Sequence, residues 1–197
     1  MKLILKSVIC AFIFACVISM SGFYGVCDDI QNEVFRLHII ANSDSPEDQA
    51  LKIKVRDEML SYTSEIFKGC KNKAESINAA NTYLEDIKSH AQQIVYENGY
   101  NYKVDAYVTN MSFNTRVYDN FTLPAGKYDA LRIVIGNGEG KNWWCVLYPA
   151  LCIPSAQADD LGNVMNDSEQ EIITNADRYE VKFKVVEWFE SIFSFFG

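Results

Sequence analysis

The residues best equipped for chemistry here are two histidines, His38 and His90, six cysteines, and the carboxylates gathered at Asp44, Glu47 and Asp48. Cys145, His38 and Asp44 are of the types that make a nucleophile, a base and an orienting acid. Against that reading, Cys145 lies between Trp144 and Val146 in an apolar, strand-like run, where a cysteine serves as a small buried hydrophobe. The histidines and cysteines show no metal-cage spacing, so neither a metal nor a cofactor is expected. Gly136-Asn-Gly-Glu-Gly140 has the glycine density of a phosphate loop, but such loops open onto a helix N-terminus and a strand-like run follows this one. Arg36, His38 and Arg132 sit on strand-like runs, either as salt-bridged structural residues or as part of a recognition face.

These residues must be positioned by a small set of elements. Leu131, Ile133 and Ile135 alternate with Arg132 and Val134, the period of a strand with one buried face. Residues 136–142 tolerate the backbone reversal, and 143–148 form a second apolar strand stopped by Pro149. The two runs are expected to pair as a hairpin. Residues 33–41 read as the first strand, 42–45 as a turn, and Ser45-Pro46-Glu47-Asp48 as a helix start with cap, first-turn proline and acids at the dipole's positive end. That start accounts for the carboxylate pair without a site.

The helix it opens is expected to reach about Phe67, with Leu51, Val55, Tyr62 and Ile66 on one stripe and Ile53, Leu60 and Phe67 on another. One further helix is expected over 73–98, on the seam Ile77, Leu84 and Ala91, making a helical hairpin against the sheet. Val104, Ala106 and Val108 mark a strand, and 111–118 another. The polar stretch 155–177 suggests a long surface connection. Residues 179–196 form an amphipathic helix, expected to dock on its own domain, with a partner groove as the second choice. The fold expected is α+β, a mixed or antiparallel sheet of about five strands packed with a helical hairpin and a C-terminal amphipathic helix.

The N-terminus sets the compartment. Lys2 and Lys6 precede an uncharged run that lasts to Cys27, the pattern of a signal peptide and also long enough for an uncleaved anchor. Residues 1–27 are therefore leader or anchor, and 28–197 a single extracytoplasmic domain. Loss of Lys2 and Lys6 with the leader takes the net charge of −8 to −10, which excludes nucleic acid and leaves the membrane to the leader alone. A protein surface suits such a domain better. Outside the cell Cys145 and Cys152 favour a disulfide, a reduced pair of packed thiols being the other reading; Cys70 has no assigned role.

Two stretches carry a family likeness. Arg36-Leu-His-Ile-Ile-Ala-Asn-Ser-Asp-Ser-Pro-Glu-Asp-Gln-Ala-Leu-Lys-Ile-Lys-Val-Arg-Asp57 resembles the N-terminal signature of the stage II sporulation protein R family. Leu123-Pro-Ala-Gly-Lys-Tyr-Asp-Ala-Leu-Arg-Ile-Val-Ile-Gly136, continued by Asn142-Trp-Trp-Cys-Val-Leu-Tyr-Pro-Ala-Leu-Cys152, resembles the second, and Glu180-Val-Lys-Phe-Lys-Val-Val-Glu-Trp188 is similar to the family's C-terminal helix. The resemblance implies a signal and not an enzyme. It implies export from the forespore into the space between the septal membranes, and activation there of stage II sporulation protein GA, the membrane-embedded aspartic protease that processes pro-sigma-E in the mother cell. The likeness assigns no contact residues. From the residues alone, Asn42 and Asp44 in the turn and Asn137, Glu139 and Lys141 at the hairpin tip are candidate partner contacts. Two other readings remain: a secreted Cys or Ser hydrolase using His38, and a structural domain of the cell envelope.

Overall fold

A computed structural model describes residues 2–118, 120–149 and 164–196, with only the backbone given for 2–3 and 192–196. The chain divides into two compact units, each assembled from separate segments. One comprises Asn32–Met111 and Lys127–Val164, the other Met1–Gln31, Ser112–Gly126 and Met165–Gly197.

In chain order the elements are α1 (Lys2–Glu33), β1 (Phe35–Ile40), α2 (Pro46–Phe67), α3 (Lys73–Thr82), α4 (Leu84–Glu97), β2 (Val104–Phe113), β3 (Arg116–Val117), β4 (Thr122–Leu123), β5 (Gly126–Ile135), β6 (Asn142–Tyr148), α5 (Asp167–Thr174), a 3-10 turn (Ala176–Tyr179) and α6 (Glu180–Phe196). The fold is α+β, with a mixed four-stranded sheet and a separate two-stranded pair, β3–β4.

The sheet order is β2-β5-β1-β6, so the expected hairpin does not form. β1 lies between the two runs, parallel to β5 and antiparallel to β6, with Leu37 opposite Leu131 on one side and Cys145 on the other. All six residues of β1 are buried, the mark of a central strand covered on both faces. The six-residue loop 136–141 has to cross two strand spacings of about 4.8 Å, a span for which a tight two-residue turn is too short.

Side chains alternate across this sheet. Phe35, Leu37, Ile39, Leu131, Ile133, Ile135, Cys145 and Leu147 share one face and form the core with Leu51, Val55 and Met59 of α2 and Ile87, Ala91 and Val95 of α4. Each such aliphatic side chain contributes roughly 1.5–3 kcal/mol by leaving water. On α2 the buried stripe is Leu51, Val55, Met59, Thr63 and Phe67; Ile53 and Leu60, expected on a second buried stripe, are only half-buried. The single helix expected over 73–98 is two helices. They break at Tyr83 (φ −99°, ψ 17°), where Tyr83 N still donates to Ala79 O and Ile87 N to Tyr83 O. Residues 111–113 extend β2 and do not begin a new strand.

In the other unit, α1 is one helix that continues past Cys27. Phe183 and Val186 of α6 are buried, and Phe23 of α1 stacks on Tyr179 and meets Phe183 edge-on. Part of the expected surface connection is instead α5. A capping box opens it: Asn166 accepts from the Ser168 and Glu169 N–H groups, and Glu169 accepts from Asn166 N at 2.7 Å. Residues 155–163 of that connection lie outside the described residues.

Candidate partner-binding surface

The end of β1 and the loop 136–141 form one structure. As β1 stops, Ser45 takes the N-cap position of α2 and accepts the Asp48 N–H at 3.2 Å. Asp48, one residue on from Glu47, turns inward and is 4% exposed. Its Oδ2 accepts from Asn42 Nδ2 at 2.8 Å and from Ser43 Oγ at 2.6 Å. Burial alone would raise its pKa, but hydrogen bonds from Ser43, Asn42, Tyr102 and Ser45 hold the carboxyl below its usual range. Asp48 therefore fixes the shape of the 42–45 turn, a role that helix capping alone did not suggest.

The loop 136–141 lies across this turn. Asn137 N donates to Asn42 Oδ1 at 3.0 Å, Glu139 N to Asn42 O at 3.2 Å, Gly140 N to Ala41 O at 2.9 Å and Lys141 N to Asp44 Oδ1 at 2.7 Å. The approach needs glycine at Gly140, where a Cβ would come within 2.2 Å of Ser43 O. Lys52, 4% exposed, reaches up from α2 to donate to Lys141 O at 2.8 Å and Gln49 Oε1 at 2.6 Å. Burial lowers the Lys52 pKa, with Asp44 opposing that shift.

The five candidate contacts thus come from two loops that brace each other. Asp44, Asn137, Glu139 and Lys141 are exposed, while Asn42 is half-buried and spends its side chain on internal bonds. The bracing is mostly through backbone, so the side chains of Glu139 and Lys141 stay on the surface of a fixed frame.

Arg36, His38 and Arg132 lie on the sheet face opposite the helix-packed core. Arg36 is fully buried, with its guanidinium carbon 4.8 Å from the Tyr128 ring centroid. His38 is 2% exposed, stacks on Trp144 at 4.0 Å and bonds Asn142 Oδ1 through Nε2 at 2.7 Å. Burial lowers its pKa to about 4; the Asn142 bond opposes, and Arg132 and Arg36 add to the depression. The ring is neutral in the fold. Arg132 packs over Tyr107, 5.8 Å from the ring centroid.

Cys145, His38 and Asp44 are not brought together. Cys145 is paired with Leu37 in the register and belongs to the helix-packed core, whereas His38 is paired with Trp144 and points to the other face. Cys145 is also disulfide-bonded; Cys152, its expected partner, lies outside the described residues. Cys70 is a half-buried free thiol. Among the described residues no group of three His, Cys, Asp or Glu side chains converges as metal ligands.

Comparison with known proteins adds a family to this geometry. The family model described as Stage II sporulation protein R matches residues 31–158. The chain belongs to that family. Stage II sporulation protein R of Bacillus subtilis (strain 168) is similar to it, 33% identical over 187 residues and covering 84% of each chain. No solved structure matches. For this stage II sporulation protein R family member a role in sporulation follows, and the matched span contains both braced loops and β1. Its N-terminal helix, over Ile4–Glu33, is long and apolar enough to cross a membrane, and its most apolar stretch is wholly unburied. That fits a signal peptide or membrane anchor.

Proposed function

We propose that the protein is an exported signal of endospore formation. It leaves the forespore behind α1, enters the space between the septal membranes, and there binds stage II sporulation protein GA. That membrane-embedded aspartic protease then processes pro-sigma-E in the mother cell. The signal acts by being bound and catalyses no step. Higher affinity for the protease's active, dimeric state than for its inactive state shifts the equilibrium toward activity.

The observation that supports this reading is the cross-bracing of the 42–44 turn by the 136–141 loop, in a chain of this family. Four exposed polar or charged residues are held on one surface before any partner arrives. Less ordering entropy is then lost on binding. Cys145 and His38 lie on opposite faces of the sheet, which counts against the cysteine form of the hydrolase alternative.

The test is reconstitution of the protease and pro-sigma-E in a heterologous membrane, with and without this chain. Processing is expected only when the chain is present. The contact face is tested by Glu139→Lys combined with Lys141→Glu, which leaves the bracing backbone bonds in place. Loss of processing with an unchanged melting temperature is the expected result. Full processing by that variant would move the contact elsewhere.

A further inference from the structure

Among its described side chains α6 has two apolar sides, and only one of them is used inside its unit. Phe183 and Val186 face inward, at 4% and 0% exposure. Val181 and Trp188 stand on the far side, 75% and 60% exposed, with Phe189 beside them at 42%. Trp188 and Phe189 meet edge-on at 5.2 Å. On one flank Lys184 pairs with Glu180 at 2.7 Å, while Lys182 lies over the Phe23 and Tyr179 rings and Glu190 meets Tyr24.

The inward side is fastened to one level of α1. Phe23 stacks on Tyr179 at 5.6 Å and meets Phe183 at 5.3 Å, while Tyr24 Oη donates to Glu190 Oε1 at 2.8 Å. Phe23 and Tyr24 are one residue apart, about 1.5 Å of rise. The points they hold on α6, Phe183 and Glu190, are about 10 Å apart along its axis. The stretch from Tyr179 to Glu190 is therefore held at the level of residues 23–24. That level lies just past the exposed apolar run of α1, in which Ile4, Phe12 and Ile18 are 70%, 69% and 67% exposed.

We infer that the outer face of α6 is a second membrane contact, with Val181, Trp188 and Phe189 seated in the headgroup region of the bilayer that α1 enters. Trp and Tyr are the side chains that settle at that depth, and Tyr24 and Trp188 occupy it together. An amphipathic helix there sinks its apolar face about 5–10 Å into the boundary. Two lysines against three glutamates between 180 and 190 give no attraction to anionic lipid, so the surface it fits is a neutral, zwitterionic one. The inference rests on α1 staying in the bilayer, the anchor form of the localisation above.

The experiment uses the full chain in phosphatidylcholine nanodiscs carrying acyl chains brominated near the headgroup. Bromine quenches tryptophan on contact. The wild type is expected to show a quenched component that Trp188→Phe lacks, unchanged by added salt or anionic lipid. In the same sample a membrane-impermeant maleimide should label Cys70 and spare Cys10 and Cys16. Labelling of Cys10 and Cys16 would overturn the anchor, and the inference with it. Protected cysteines with identical quenching in both proteins would overturn the α6 contact alone. So would Trp188 becoming shielded only on self-association or on addition of the protease, which would assign the face to a protein.

Discussion

Asp44 and Lys141, 97 residues apart, are joined by a 2.7 Å bond from the Lys141 N–H to the Asp44 carboxylate. This bond and its three neighbours convert the end of β1 and a glycine-rich crossing loop into one surface.

Gly140 sets how closely the loops approach. In Gly140→Ala the new methyl would meet Ser43 O, a backbone atom that cannot swing aside. The loop must lift, and overpacking of this kind costs about 1–3 kcal/mol. A lower melting temperature and a loss of protease activation larger than the lost folded fraction are expected. Activation that merely tracks the folded fraction would show that the bracing does not matter to the signal.

Asp48 should make the turn acid-sensitive. Its folded pKa lies below the unfolded carboxylate value near 4, so its contribution is complete above that value and is lost as pH falls through the folded one. Asp48→Asn removes the charged acceptor of the Asn42 and Ser43 bonds. Hydrogen bonds to charged groups are worth about 1.5–3 kcal/mol, and a loss near that size is expected at pH 7. Below pH 4 the difference between wild type and variant should shrink. Urea titrations at pH 7 and pH 3.5 measure both.

How much of this was legible in the sequence depends on whether the signal was local. Ser45, Pro46, the strand-like run 33–41 and the alternation in β5 announced α2 and the strands because caps and period act within a few residues. The Asn166–Glu169 capping box was equally local, but the polar composition around it read as a loop. The pairing of β1 between β5 and β6 was not legible. Turn residues report that the chain reverses, not which strand fills the gap. Tyr83 breaks the 73–98 helix with no proline or glycine to mark the place. The two candidate loops could be named from their exposure-prone residues, but their contact is a product of the β1 insertion. Asp48 was missed because its capping position explained it too well.

His38 gives a separate acid limb. Its pKa falls from about 6.5 unfolded to about 4 folded. Between those values the unfolded state binds the proton and the folded state does not, so stability is complete above about pH 6.5 and declines as pH falls toward 4. The loss is on the order of 3 kcal/mol. His38→Gln should flatten the stability curve over that window. It should also leave activation at neutral pH within a few fold once the folded fraction is allowed for. A collapse of activation with intact folding would revive a chemical role for the imidazole.

Lys52 separates rigidity of the surface from stability of the fold. Its ammonium is buried, its pKa is lowered by that burial, and its bond to Lys141 O ties α2 to the crossing loop. Lys52→Met keeps most of the length and removes the desolvated charge. Replacing a buried charge with an apolar chain is often nearly neutral, though the Lys141 carbonyl loses a donor at about 1–3 kcal/mol. The two effects oppose each other, so the melting temperature should move little. The loop, however, loses its only tie to α2 from below among the described bonds. Amide exchange at Gly140 and Lys141 should rise, and activation should fall in step. If exchange rises while activation holds, pre-ordering of this face contributes nothing to the signal.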